Sequence, residues 1–249
     1  CGNGCGHRPE ARIIGGSTAS PHSWPWQLSL RVMNGHSCGA SLISPRWAIT
    51  AAHCVMRSND PHVYSLVAGA HRIDGDGVEY RINKIITHPA YGVAYHRNDI
   101  ALLRLVKPVK LDSKVGTVCF PPKGSRVASG TRCWISGWGT ERFNFWGSAK
   151  SPTHLQQAYV PVVDNNTCKK KAGDRAHDPT MVCVGGAGKG ACHGDSGGPL
   201  VCEEKGSWIL RGVTSWGHEK CKTDHYSVFT RVSFYISWIE NQITSESRH

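Results

Sequence analysis

Apolar and polar positions alternate with a period of two in Trp26-Gln27-Leu28-Ser29-Leu30-Arg31-Val32. That is the pattern of a strand with one face buried. Shorter runs of the same kind are Val63–Ala68, Tyr80–Thr87, Ile100–Leu105, Gln156–Val163 and Trp208–Ser215. Turn formers separate them, as at Asn34-Gly35, Asp74-Gly75-Asp76-Gly77 and Lys205-Gly206. Many short strands at close spacing predict an all-β barrel or sandwich. The period changes near the end. From Phe234 to Thr244, Tyr235, Ile236, Trp238, Ile239 and Ile243 recur at helical spacing, which predicts a final helix packed on the body. The segment Lys107–Gly130 is rich in Pro, Gly and Lys and reads as a connection between two halves of about equal size. Phe143-Asn144-Phe145-Trp146-Gly147 reads either as a loop folded over its own rings or as an apolar surface beside a binding cleft.

Composition narrows the class. A hydrophobic fraction of 39% with nine Trp is too apolar for a disordered chain. No stretch approaches the roughly 18 uninterrupted apolar residues of a membrane helix, so no membrane insertion is expected. No basic segment followed by an apolar run opens the sequence, so any signal peptide is expected to have been removed. The 11 cysteines include no CxxC pair, which suits a disulfide framework in an oxidising, extracellular compartment. Cys1 and Cys5 would need two further ligands to hold a structural zinc. The odd count leaves at least one cysteine without an intrachain partner. The formal charge of +11 makes a basic surface. Its Lys and Arg residues are dispersed, the densest run being Lys169-Lys170-Lys171, and no nucleic-acid-binding module is visible. Weak polyanion binding stays open, and nucleic acid is not an expected partner.

Three short islands carry chemistry. Thr50-Ala51-Ala52-His53-Cys54 places a His after a buried-looking run and beside a Cys that could lock its loop. Asn98-Asp99-Ile100-Ala101-Leu102-Leu103 leads an Asp into an apolar strand, where it is either a turn residue or a buried, hydrogen-bonded carboxylate. Gly194-Asp195-Ser196-Gly197-Gly198-Pro199 sets a Ser between an acid and two glycines, on a backbone free to turn sharply. Such a turn can expose a nucleophile and aim backbone N–H groups at an oxyanion. Together they supply the Ser, His and Asp of nucleophilic acyl transfer. A hydroxyl must lose its proton as it attacks, an imidazole can take that proton, and a carboxylate can orient the imidazole.

These motifs, in this order and with Ser215-Trp216-Gly217 following, resemble those of the chymotrypsin-family serine endopeptidases of the trypsin-like superfamily. The chymotrypsin and pancreatic elastase-2 types are the nearest in pattern. The resemblance runs from Ile13 to Ile243 behind a short propeptide. It implies two six-stranded antiparallel β-barrels with the site in the cleft between them and a C-terminal helix. It divides the chain into a propeptide at 1–12, a first barrel half at 13–122 and a second half with the helix at 123–249. It makes Ser196 the nucleophile, His53 the base and then the acid, and Asp99 the orienting carboxylate. The backbone N–H groups of Gly194 and Ser196 become the oxyanion hole. Ser215, Trp216 and Gly217 become the edge that pairs with the substrate backbone.

The resemblance also implies a zymogen. Arg12-Ile13-Ile14-Gly15-Gly16 matches the activation site, cut by a trypsin-like protease after Arg12. The new Ile13 amine would pair with Asp195 and order the oxyanion hole and pocket. The family's disulfides map to Cys38–Cys54, Cys133–Cys202, Cys168–Cys183 and Cys192–Cys221. Chymotrypsin itself ties its propeptide to the body, and Cys119 matches the body-side partner, to be joined by Cys1 or Cys5.

Substrate choice follows from the same match. The pocket is expected from Gly190, Ala191, His193, Gly217 and Ser227. An Asp six residues before the nucleophile would select Lys or Arg, but Gly190 stands there. A buried basic side chain would lack a counter-charge. Gly217 leaves the entrance open, so Phe, Tyr, Leu or Met is expected before the cut. Ser227 replaces a Gly of chymotrypsin and narrows the pocket. Asp74, Asp76 and Glu79 lie where trypsin-type relatives hold calcium, but Ala70 replaces an expected Glu, so neither a metal nor a cofactor is expected. Tyr226 resembles a residue that permits sodium binding in some relatives. Asn165-Asn166-Thr167 is a glycosylation sequon. The implied protein is a secreted digestive enzyme with protein or peptide substrates and serine protease inhibitors as partners. The alternative is a catalytically silent or granule-type homologue acting through polyanion or receptor binding.

Overall fold

The computed structural model describes residues 4–9, 17–139, 152–173, 176, 179–185, 191, 195–217 and 226–247. Thirteen strands and two α-helices are formed among them. Six strands close the first barrel: β2 (Gln27–Val32), β3 (Gly35–Ser44), β4 (Trp47–Thr50), β5 (Tyr64–Ala68), β6 (Val78–Thr87) and β7 (Ala101–Leu105). Their order is β2-β3-β4-β7-β6-β5, and β2 pairs with β5 to complete the ring. Six more close the second: β8 (Arg132–Gly137), β9 (Gln156–Val163), β10 (Met181–Gly185), β11 (Pro199–Glu204), β12 (Ser207–Trp216) and β13 (Tyr226–Arg231). Their order β9-β10-β13-β12-β11-β8 is closed by β8 pairing with β9, and β1 (Ser17–Thr18) is added outside β9. All of these pairings are antiparallel. Closure leaves neither ring with an unpaired edge.

Alternation persists in β2 although its polar Gln27 and Ser29 are buried beside Leu28 and Leu30. β4 is buried at all four positions and β10 at all five. These two lack the period-two signature because they are apolar on both faces, apart from Thr50. β3 is built largely from Gly, Ser and Ala, poor strand formers, and is held by two neighbours, β2 and β4. The turn from β2 to β3 sits one residue earlier than Asn34-Gly35 suggests. Met33 and Asn34 both adopt positive φ, 49° and 67°, and Gly35 already belongs to β3.

Helix α1 (Asn165–Ala172) is capped by the Asp164 side chain, which accepts from Thr167 N at 2.9 Å. Lys169, Lys170 and Lys171 occupy its last turn, where the helix dipole favours cations. Eight residues are too few to be helical alone. The Cys168–Cys183 disulfide ties this helix to β10. Helix α2 (Val232–Glu246) extends two residues beyond the predicted span at each end. Val232, Tyr235, Ile236 and Ile239 are its buried stripe and pack into the same core as the first barrel. Its end is clamped there by Lys84 Nζ to Glu246 Oε1 at 2.5 Å. None of these helices is long and apolar enough to cross a membrane.

The N-terminal segment lies on the second barrel. Gly6 N donates to Thr117 O at 2.7 Å, and Trp208 N donates to Gly6 O at 3.1 Å. Cys5, not Cys1, is bonded to Cys119. The Arg8 guanidinium carbon stacks 3.7 Å from the ring centroid of Trp24 and 5.3 Å from that of Trp208. Burial lowers the Arg8 pKa to about 10, against the opposing pull of Glu203. The remaining disulfides among the described residues are Cys38–Cys54 and Cys133–Cys202. Cys192 and Cys221 lie outside the described residues, as do Cys1 and the aromatic cluster 143–147.

Candidate active site

The first barrel brings a histidine and a carboxylate together across 46 residues. His53 sits in a 3₁₀ turn, Ala52–Val55, directly after β4, and the adjacent Cys54 is tied to Cys38 of β3. Asp99 lies just before β7, which pairs with β4, so both side chains leave the same end of neighbouring strands. Asp99 is fully buried. Its Oδ1 accepts from His53 backbone N at 2.9 Å, and its Oδ2 lies 2.7 Å from His53 Nδ1. A carboxylate oxygen bonded this way accepts, so Nδ1 carries the proton and Nε2 keeps its lone pair.

A third donor comes from the other barrel. Ser215 Oγ donates to Asp99 Oδ2 at 2.6 Å. The register of β12 on β13 slips between Thr214 and Trp216, leaving Ser215 as the extra residue of a bulge. The bulge turns its side chain out of the ladder and toward Asp99. Thr230 Oγ1 of β13 donates to Asp99 O at 2.8 Å. This buried carboxylate is therefore held by both barrels, as a buried charge requires. Burial, with Asp99 close by, pushes the Tyr91 hydroxyl up to about 12.

The turn bearing Ser196 docks on the first barrel through backbone. Gly39 N of β3 donates to Ser196 O at 2.7 Å. Gly197 has φ +76°, and a Cβ there would fall 2.1 Å from Thr50 Oγ1 and 2.4 Å from Gly39 O. A Cβ on Gly39 would fall 2.8 Å from Gly198 Cα. Only glycine permits this approach. Thr50 Oγ1 donates to Gly39 O at 2.8 Å, so the Ser196 turn rests on the residues that lead into His53. Gly198 N donates to Asp195 O at 2.9 Å and closes the turn before β11. Asp195 Oδ1 accepts from Gly139 N at 2.9 Å.

The residues expected to line the pocket converge as far as they are described. Ala191 N donates to Ser227 Oγ at 2.9 Å. A Cβ on Gly217 would lie 3.7 Å from Ser227 Oγ and 4.0 Å from Ala191 O. Ser227 is buried at 4% exposure. Trp216 pairs with Val228. Gly190, His193, Gly194, Arg12 and Ile13 lie outside the described residues.

The acids of residues 74–79 are engaged by the protein itself. Asp76 Oδ1 accepts from the backbone of His71 and Arg72, Asp74 pairs with Arg72, and Glu79 accepts from Ser65. The Lys171 ammonium lies 5.6 Å from the ring centroid of Tyr226. Asn165 opens α1 and is partly exposed.

The sequence pattern does not show the support that Ser215 and Thr230 give Asp99, nor the place of His96. Ser215 was read only as part of a substrate edge, because a bulge leaves no mark in a strand pattern. His96 was not singled out, although its ring centroid lies 5.5 Å from that of His53. Its only signal was its place three residues before Asp99. A family model described as Trypsin matches residues 13–239, which include the His53, Asp99 and Ser196 islands.

Proposed function

The chain belongs to the trypsin family of serine proteases, and on that premise we propose that it is an endopeptidase made as a zymogen and cutting after large apolar residues. One observation carries the catalytic reading: the buried Asp99 carboxylate bonds both the backbone and the ring of His53, which leaves Nε2 as the basic nitrogen. In the proposed reaction Nε2 removes the Ser196 Oγ proton as Oγ attacks the scissile carbonyl carbon. The tetrahedral oxyanion is met by the backbone N–H groups of Ser196 and Gly194. Its collapse breaks the C–N bond, and the same proton passes from Nε2 to the leaving amine. A water then repeats the sequence on the acyl-enzyme and frees the acid. The buried Asp99 steadies the imidazolium through both steps.

Specificity rests on Gly190, Ala191, Gly217 and Ser227. A pocket with a serine hydroxyl and no acid at Gly190 suits Phe, Tyr, Leu or Met and disfavours Lys and Arg. Cleavage after Arg12 would free the Ile13 amine for Asp195, and the Cys5–Cys119 bond would keep the propeptide attached. The four disulfides among the described residues suit a secreted protein, and a digestive role fits acceptance of several large apolar side chains. Protease inhibitors and an activating trypsin-like protease are the partners this reading predicts.

The test is to treat the protein with a trypsin-like protease, sequence its N-termini and assay aromatic and arginine esters. An Ile-Ile-Gly-Gly terminus with turnover of the aromatic ester is expected. No turnover from a correctly cut chain, with Ser196 unreactive to an organophosphate, would sink the reading.

A further inference from the structure

His96 stands beside the proposed catalytic pair in a restrained position. It follows the 3₁₀ turn Val93–Tyr95 and adopts φ 48°, a left-handed conformation uncommon for a residue with a Cβ. The loop is fixed on both sides. Gly92 and Arg97 exchange backbone hydrogen bonds at 3.0 and 3.3 Å. Asn98 Nδ2 donates to Ala90 O, and Tyr235 OH donates to Asn98 Oδ1. His96 Nδ1 lies 3.4 Å from Tyr91 OH and 3.8 Å from Asp99 Oδ2. One ligand atom from each of His53, His96 and Asp99 falls within 4.8 Å of the others.

We propose that His53 and His96 form a binding site for a divalent transition-metal ion of the zinc type, which reversibly blocks the active site. Three features support it. First, the ring centroids are 5.5 Å apart at an interplanar angle of 78°. Two imidazoles on one tetrahedral ion, each about 2 Å from it through nitrogen, place their centroids roughly 5 Å apart. Second, the His53 Nδ1–Asp99 contact is the carboxylate–histidine arrangement that orients metal-ligating imidazoles and raises their basicity. Asp99 Oδ2 is already occupied by His53 and Ser215, so it serves as this outer partner, and Nε2 is the His53 ligand. Third, the His53 and His96 side chains retain 24% and 29% exposure, so an ion and completing waters can enter from solvent. Imidazole pairs select zinc, copper and nickel over calcium and magnesium. The site itself stands on these contacts, while the regulatory consequence rests on the peptidase reading: an ion on Nε2 holds the lone pair that would accept the Ser196 proton.

The experiment is zinc titration calorimetry on the full chain carrying Ser196→Ala, compared with the same protein carrying also His96→Asn or His96→Ala. Asn tolerates the left-handed backbone, and equal melting temperatures certify the fold. One ion per chain is expected, with binding weakened at least about tenfold in both His96 variants, since loss of an outer-shell partner alone costs about 10- to 100-fold. Equal zinc affinity with and without His96 overturns the proposal. So does loss of the ion in His71→Ala instead, a variant that disrupts the separate His71–His154 pair, whose centroids lie 5.1 Å apart. In a second assay zinc suppresses ester hydrolysis by the activated enzyme, and His96→Asn loses that suppression relative to its own zinc-free rate. Calorimetry reads the site whether or not the chain hydrolyses esters, so failure of the peptidase reading appears in the second assay alone.

Discussion

Ser215 Oγ donates to Asp99 Oδ2 at 2.6 Å, a bond between a bulged strand of one barrel and the entry to β7 of the other. It shares its acceptor oxygen with His53 Nδ1. Ser215→Ala would leave a fully buried carboxylate one donor short. Hydrogen bonds to charged groups are worth about 1.5–3 kcal/mol. A loss in that range is expected in urea unfolding, with a smaller drop in kcat, because the two contacts to His53 persist. An unchanged unfolding midpoint would argue against a structural role for this bond.

The proposed roles of His53 and Asp99 differ in what they remove. His53→Ala eliminates the base, and a loss of about 100- to 10,000-fold in kcat is expected for a positioned acid–base group. Asp99→Asn keeps the shape but presents an amide that can donate to Nδ1 and turn the wrong tautomer toward Ser196. Its kcat is expected to fall steeply while KM changes little. Steady-state kinetics on one aromatic ester separates the two parameters.

Pocket width can be tested at Gly217. A single methyl there meets Ser227 Oγ at 3.7 Å, an ordinary contact. Gly217→Ala should therefore keep cleavage after Phe and Leu, while the branched chain of Gly217→Val should shift preference to small residues. Gly190→Asp should supply the missing counter-charge and raise cleavage after Arg and Lys relative to Phe. A peptide-library cleavage profile reads all three variants.

The N-terminal segment should stay attached after cleavage at Arg12. Non-reducing electrophoresis is expected to show one band, and reduction should free a short peptide from Cys119. The Arg8 stack on Trp24 and Trp208 should retard its departure. A desolvated cation–π contact is worth about 0.5–2 kcal/mol, so Arg8→Ala should weaken retention by roughly 2- to 30-fold. Gel filtration of the cut, reduced protein measures it.

Acid should weaken the fold in two stages. Burial lowers the pKa of His71 and of His88 from the usual 6.5, and for His71 the nearby His154 adds to it. The unfolded chain then binds more protons than the native one as pH falls through 6.5, so stability drops from neutrality downward. His71→Gln and His88→Gln should flatten that slope. Asp76 acts in the same sense at lower pH. Burial raises it, but the backbone N–H groups of Arg72 and His71 outweigh burial and hold it below 3.8. Its contribution is present above 3.8 and is lost only as pH falls through the lower folded value. Urea midpoints across pH 4–8, below and above 6.5, resolve the first stage.

Much of the fold was legible because polar and apolar residues alternate in several strands, even where, as at Gln27 and Ser29 of β2, the polar side chains are buried. β2, β5, β6, β7, β9 and β12 all fall on the predicted runs, and the helical spacing of Tyr235, Ile236 and Ile239 found α2. The strands that went unseen, such as β4 and β10, are covered on both faces and carry no alternation. Helix α1 went unseen because its stability comes from the Asp164 cap and the Cys168–Cys183 bond, not from an apolar stripe.

The sequence by itself determined the chemistry on offer: a His, an Asp and a Ser in three specific islands, a Gly where a pocket acid would stand, and enough cysteines to bind the framework. Short-range order carries those signals, because turns, caps and strand periods are local. Only the tertiary structure decided that Ser215 and Thr230 support Asp99 and that Cys5 is the tether. It alone placed His96 beside His53 and let two glycines seat the Ser196 turn on Thr50. Those relationships join residues far apart in the chain. They exist because two barrels are pressed together, and a one-dimensional pattern has no term for the contact between them.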